Sequence, residues 1–273
     1  MNKIEVAVLA EASNNPAGMM MFLAKLTQRG HNIHNMDDLK NLYNSCCEGT
    51  SKAAATRVAA LPHGTIKRFT PITVAIVGAS RRFLAQARTH QVGFNYVSAS
   101  LQYSDYSGKA DFVVPYSIIE HDAEAITSGN VFGDNSYTNL YLVQCSSAMM
   151  TYNTLASVLD NDTAGYAAPQ GLRNILIMQA NHEAWSYFIR TRGCNRNTVE
   201  TQYVTMRIWE ELLKTEDGPE MFYFTGPDCM YGKCREGSMC CKEPLTALGV
   251  HRTDDTPIPR KIIDYKWPLL KEV

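Results

Sequence analysis

Ser80 to Tyr106 reads SRRFLAQARTHQVGFNYVSASLQYSDY, and two periods follow one another within it. In the first part Phe83, Leu84 and Ala87 recur among Arg81, Arg82 and Arg88, the spacing of a helix, with Gly78 and Ala79 as the break before it. Further on, Phe94, Tyr96, Val97, Leu101 and Tyr103 interleave with Asn95, Ser98, Ser100 and Gln102, as in a strand with one solvated face. The polar residues from Thr89 to Gln102 put hydrogen-bond donors and acceptors beside flat apolar surface. That is the chemistry of a pocket for a planar, partly charged ligand, and a solvated strand face would present the same residues.

Outward from this stretch the chain reads as a succession of helices and strands. Ile4 to Glu11 reads as an opening strand, and Asn15 followed by Pro16 caps a helix that stops at Gly30. Met36 to Cys46 and Ala53 to Leu61 give two more helices, the first with Asp37 and Asp38 in its first turn. Arg68 to Val77 is rich in β-branched residues and reads as a strand, with Pro71 arguing for an edge or a bulge. Gly108 to Pro115 suggests a turn and a short strand, and Ile118 to Asn135 shows no period. Tyr137 to Leu159 reads as a long amphipathic helix with Leu140, Val143 and Met150 among its apolar positions. Asn174 to Ala180 is a strand or a buried helical turn. Asn181 caps the helix HEAWSYFIRTR, and Asn197 opens one more. Together these predict an α+β fold, a single domain over residues 1–273 with long helices packed on a mixed or antiparallel sheet, and a cysteine-containing loop and tail from about residue 226.

Composition narrows the function. The chain has 273 residues, 45% of them hydrophobic, and 26 Lys and Arg against 27 Asp and Glu. Such a balance calls for neither a nucleic acid polymer nor a membrane surface, so any anion site is local. The apolar runs are short, and a soluble cytoplasmic protein is expected. Eight cysteines are too scattered for a disulfide framework. Cys229, Cys234, Cys240 and Cys241 cluster, but lack paired CxxC spacing, and a glycine-rich loop with free thiols is favoured over structural zinc; no metal site is expected. GxGxxG, GxxxxGK[ST] and HExxH are all absent. His63 and Thr65 lie in a loop able to present both to a ligand. Arg192 ends a helix, where it complements the dipole or meets an anionic or carbonyl-rich ring edge, and Glu200 pairs with Arg196 or orients Arg192.

The ordered series His63 and Thr65, SRRFLAQ with Gln86, THQVGFNYVSASLQY, then Asn181, Arg192 and Glu200, resembles the flavin-dependent thymidylate synthases (ThyX family). The loop GPDCMYGKCREG also resembles one seen in some members. The resemblance implies a homotetramer with active sites between subunits that binds FAD, dUMP, NADPH and methylenetetrahydrofolate and methylates the pyrimidine at C5. It places His63, Thr65, Thr89, His90, Gln91 and Asn181 around the flavin. Gln86, Arg88, Ser98, Ser100, Gln102 and Tyr103 fall around the nucleotide, and Arg192 against the pyrimidine as the catalytic residue. Several family cations are replaced: the Arg-His-Arg triplet becomes Thr89-His90-Gln91 or Arg88-Thr89-His90, Glu183 stands where an arginine is usual, and Gly165 replaces another. Arg81, Arg82, Arg88 and Arg173 are the candidates to compensate. The same losses admit C5 hydroxymethylation, another pyrimidine nucleotide, or a non-catalytic nucleotide-binding paralogue.

Overall fold

The computed structural model describes residues 4–11, 15–108, 110–128, 136–222, 224–231 and 234–242. The tail expected after residue 226 therefore lies mostly outside the described residues. Two adjoining strands organise the fold, because each runs without a loop into a helix. Strand β2 (Pro71–Ser80) leads into α4 (Arg81–Ala87), whose N-cap Ser80 accepts from the N–H of Phe83 at 3.1 Å. Strand β4 (Arg173–Asn181) leads into α8 (His182–Arg192), whose N-cap Asn181 accepts from the N–H of Ala184 at 2.9 Å. A short polar side chain at the last strand position satisfies a helix donor and lets the backbone change period at once.

With β1 (Glu5–Glu11) and β3 (Phe94–Ser98) the sheet has the order β1-β2-β4-β3, and every described pairing is antiparallel. The β2–β4 ladder runs from Pro71 opposite Asn181 to Ser80 opposite Arg173. The two helices therefore start at opposite ends of that ladder, and α8 returns along the sheet to end beside α4. One sheet face is core. Ile72, Val74 and Ile76 of β2 and Leu176, Met178 and Ala180 of β4 are buried, under Trp185, Phe188 and Ile189 of α8. The Trp185 indole donates to the Ile72 carbonyl at 3.2 Å, which seats α8 on β2. Helix α9 (Val199–Leu212) is buried along most of its length, from Thr201 to Leu212.

The amino-terminal helices follow their caps. Asn15 starts α1 (Pro16–Arg29), Asn35 starts α2 (Met36–Gly49) and Ser51 starts α3 (Lys52–Ala59). Helices α5 (Tyr116–Thr127), α6 (Tyr137–Ala156), α7 (Asn161–Ala164) and α10 (Gly218–Met221) complete the α-helices among the described residues.

Four local expectations need correction. Strand β2 is central, flanked by β1 and β4; Pro71 is tolerated because it is the first residue, and the bulge falls instead between Val77 and Ala79, at Gly78 with φ 87°. Among the described residues of 108–115, strand pairing is limited to an isolated bridge between Phe112 and Leu172. The segment read as aperiodic holds α5. Its buried Asp122 accepts from the N–H groups of Tyr137 and Thr138 at 3.1 and 2.7 Å, so α5 is held partly by a carboxylate at the start of α6. Leu140, Val143 and Met150 of α6 are exposed, whereas Cys145, Met149 and Tyr152 face the core.

Candidate active site

Because α8 comes back along the sheet, its last residue meets the turn that follows α4. The Arg192 guanidinium donates from Nε to Nε2 of His90 at 2.8 Å and from Nη1 to Oδ1 of Asn197 at 3.0 Å. Nη2 donates to the Gln86 carbonyl at 3.1 Å and to Oγ1 of Thr89 at 2.6 Å. These bonds engage four of the five N–H groups of a planar fork, leaving one on Nη1 beyond them. The cation is therefore fixed in orientation before any ligand arrives.

His90 can accept because it is neutral. Burial, and then the Arg192 charge, bring its pKa down to about 4. Its ring stands edge-on to Phe188 and Tyr187, with centroids 5.0 and 5.7 Å away. The Tyr96 hydroxyl lies 2.8 Å from the Ala87 carbonyl and 2.6 Å from that of His90, tying β3 to the turn; burial raises its pKa. The Gln86 side-chain oxygen accepts from the hydroxyls of Thr198 and Thr201. Arg88 donates to Oγ of Ser98 at 2.5 Å.

Glu200 neither orients Arg192 nor pairs with Arg196. It accepts from Ser80 N–H at 2.7 Å and Ser80 Oγ at 2.6 Å, and burial raises its pKa against the opposing pull of those bonds. Beside it opens a cavity of about 610 Å³ whose walls include Ser80, Arg82, Tyr141, Gln144, Asn197 and Glu200. Asn197 thus touches both Arg192 and this cavity.

Of the residues expected at a site, Gln86, Thr89, His90 and Arg192 come together, with Arg88 and Ser98 paired nearby. Gln91 is exposed just beyond His90. Ser100, Gln102 and Tyr103 lie in a loop after β3 with local bonds, such as Gln102 N–H to Ser100 Oγ at 3.1 Å, and Tyr103 is 83% exposed. Asn181 sits at the opposite end of α8 from Arg192. His63 and Thr65 are exposed on either side of Gly64, whose backbone lies so close to Glu183 that a Cβ there would strike the carboxylate.

Glu183 faces Lys67, and the two pair at 3.1 Å. They line a second cleft of about 380 Å³ with Gly64, Tyr187, Arg190 and Arg235. Arg190 stands 5.2 Å over the Tyr187 ring, and Tyr187 adjoins His90, so this cleft borders the Arg192 cluster. A half-buried glycine backbone against Glu183, three cations of which Lys67 and Arg235 pair with Glu183 and Asp228, and the half-exposed Tyr187 face form a polar cleft with an aromatic wall. Among the compensating arginines, Arg81 donates to the Ala168 carbonyl at 2.8 Å, and Arg173 bonds the Gly78 carbonyl at 2.9 Å and Asp111 at 3.1 Å. Arg82 is the one that lines the larger cavity. At Gly165 a Cβ would stand 3.2 Å from Leu101 Cβ, so that position is filled by packing and has no space for an arginine without moving Leu101. Asn197, Thr198, Thr201 and Lys67 were not singled out by sequence for this site; a pair of capping-type residues before α9 was the available signal.

The family model for the thymidylate synthase complementing proteins, Thy1, matches residues 8–216, and the chain belongs to that family. A flavin-dependent thymidylate synthase of Clostridium tetani is 23% identical over 186 residues, 62% of this chain and 68% of that protein. The fold is similar to that of thymidylate synthase X of Helicobacter pylori with FAD and dUMP, at a TM-score of 0.55 and 16% identity over 80% of this chain and 97% of that one. A second structure of the Helicobacter pylori enzyme complexed with FAD and dUMP gives 0.54 and 17% identity over 81% and 99%.

Proposed function

We propose that this chain is an FAD-dependent thymidylate synthase that methylates dUMP at C5 to dTMP, with methylenetetrahydrofolate as one-carbon donor and NADPH as reductant. The observation that carries this reading is the four-point hold on Arg192 by His90, Asn197, Gln86 and Thr89, of which Asn197 also lines the cavity beside Glu200. A cation held this firmly stabilises negative charge that develops on a pyrimidine edge and need not reorganise to do so. Arg82, facing the same cavity, is placed for the nucleotide phosphate. Gly64, Lys67, Tyr187, Arg190 and Asn181 would hold the flavin, with His63 and Thr65 beside them. Bound and reduced, it supplies the hydride, so the protein needs no nucleophilic side chain of its own. The neutral His90 keeps Arg192 in place and, accepting through Nε2, carries its proton on Nδ1.

Exposed Leu140, Val143 and Met150 on α6, and the exposed loop after edge strand β3, support assembly of several copies. In a homotetramer the Ser100, Gln102 and Tyr103 loop would reach a neighbouring copy's site. Among the described residues no helix is long and apolar enough to cross a membrane; a cytoplasmic location is part of the proposal.

Purified protein is expected to absorb between about 350 and 500 nm through its flavin, and to form dTMP from dUMP only when both NADPH and the folate are present. Product masses from dUMP, UMP and dCMP separate methylation from hydroxymethylation and fix the base. Colourless protein that FAD cannot reconstitute overturns the reading. Asn181 offers a finer test, because its oxygen caps α8 while its amide nitrogen is a separate donor. Asn181→Asp keeps the cap and should hold stability within about 0.5 kcal/mol while weakening FAD binding; Asn181→Ala should cost about 1 kcal/mol as well. Equal FAD affinity in wild type and Asn181→Asp would remove this residue from the flavin site.

A further inference from the structure

Five of the eight cysteines line one small cavity at the carboxyl end of α8. Cys194, in the turn after α8, and Cys229, Cys234, Cys240 and Cys241 line a space of about 250 Å³ with Arg190 and Arg196. All are thiols, and among the described residues no three Cys, His, Asp or Glu side chains are placed to hold a metal ion. Thiols gathered this closely can react with one another.

Cys234 and Cys240 are in contact with one another. The Cys240 sulfur accepts the Lys242 N–H at 3.4 Å and shares hydrogen bonds with the thiols of Cys234 and Cys241. Those bonds, the Lys242 amide foremost, hold Cys240 below the ordinary thiol range, whereas burial pushes Cys194 up. Cys240 is thus held toward its thiolate, with the Cys234 thiol against it, and neither is fully buried.

We propose that Cys234 and Cys240 form a redox-active dithiol that closes to a disulfide when a peroxide oxidises the protein and reopens with a small thiol. The Cys240 thiolate attacks the peroxide oxygen, the O–O bond breaks, and Cys240 sulfenic acid and one water result once the leaving oxygen is protonated. The Cys234 sulfur then attacks the Cys240 sulfur, the S–S bond forms, and the sulfenic oxygen leaves as a second water. Two thiols and one hydrogen peroxide give one disulfide and two waters, and two equivalents of small thiol reverse the change.

Closure has a route to the neighbouring cleft. Arg235 adjoins Cys234, pairs with Asp228 at 3.4 Å, and lines both the thiol cavity and the Lys67–Glu183 cleft. Drawing Cys234 onto Cys240 moves Arg235 relative to that cleft. The disulfide itself stands apart from the flavin assignment; only this consequence rests on it.

The test uses the intact full-length protein, treated with stoichiometric hydrogen peroxide, alkylated and mapped by mass spectrometry. The first cross-link is expected between Cys234 and Cys240. Cys234→Ser should accumulate sulfenic acid at Cys240, trapped by dimedone, and Cys240→Ser should give neither product. A first cross-link through Cys194, Cys229 or Cys241 overturns the proposal, as does a metal ion retained on purification that shields these thiols until chelated. Oxidation should change FAD affinity at least about fivefold in wild type and not in Cys240→Ser. Unchanged affinity despite a mapped cross-link overturns the Arg235 link. Protein that binds no FAD in either state defeats the flavin reading and leaves the mapping result standing.

Discussion

Arg192→Lys is expected to lower kcat/KM for dTMP formation about 10²- to 10³-fold while leaving the protein folded. Lysine keeps the charge but not the fork. The wild-type guanidinium reaches His90, Asn197, the Gln86 carbonyl and Thr89 together, and an ammonium on a flexible stem cannot meet four acceptors spread around a plane. Each charge-assisted bond contributes roughly 1.5 to 3 kcal/mol, and a rate falls tenfold for about 1.4 kcal/mol. Loss of one well-aimed donor to the reacting base therefore accounts for the low end of the range, and misplacement of the cation for the rest. Arg192→Ala should fall further and also destabilise the fold, since it leaves the buried His90 Nε2 without its donor, although the Gln86 carbonyl still accepts from the Thr89 hydroxyl at 2.8 Å. His90→Gln retains an acceptor for Nε and should lose less than Arg192→Lys. The check is steady-state kinetics beside thermal unfolding: a folded Arg192→Lys protein within tenfold of wild type would remove Arg192 from the chemistry.

The elements that could be read from sequence are those whose signals are local. Asn15 with Pro16 marks α1, and Asn181 marks α8, because a cap is a contact between near neighbours. The ambiguous 174–180 run resolves as β4 only through its pairing with β2 and β3, which no periodicity within the segment reports. Helix α5 was hidden because part of its attachment is Asp122 against the α6 amides, and a lone aspartate adds nothing to an apolar period. Leu140, Val143 and Met150 gave α6 its apolar pattern, yet they are exposed in the single chain, so the pattern reported a surface and not this core.

The same division holds at the site. Gln86, Thr89, His90 and Arg192 were found through a resemblance, and the β2–α4 and β4–α8 junctions explain why residues so distant in sequence meet. The fate of the compensating arginines was not legible. Arg81 and Arg173 are taken by the carbonyls of Ala168 and Gly78, contacts that depend on tertiary approach, whereas Arg82 faces the larger cavity. The Lys67–Glu183 pair was likewise invisible, because the loop before β2 and the start of α8 adjoin only once Pro71 is set opposite Asn181.

Stability should fall as pH drops from about 6.5 to about 4, through two buried imidazoles. His182 is 1% exposed, stacks on Phe222 at 4.9 Å, and contacts the Thr70 carbonyl through Nδ1 at 3.0 Å. Burial brings its pKa from 6.5 to about 4, against the opposing Thr70 bond, and His90 is displaced equally far. Within that window the unfolded chain binds more protons than the folded one, so stability rises with pH and is complete above 6.5. A displacement of this size is on the order of 3 kcal/mol for His182 and less for His90, whose surroundings include the solvent-reaching Arg192 cluster. Glu200 acts in the other direction: its raised pKa means that the folded state holds its proton longer, and its contribution is lost as pH rises past 4.5. The wild-type slope is the sum of these, so the informative quantity is a difference. Urea unfolding of His182→Phe and wild type at pH 7 and pH 4.5 should show the variant less stable at pH 7, where the Thr70 contact is lost, and the gap closing by about 2 to 3 kcal/mol at the lower pH. Parallel stability curves would mean that His182 is protonated as easily folded as unfolded.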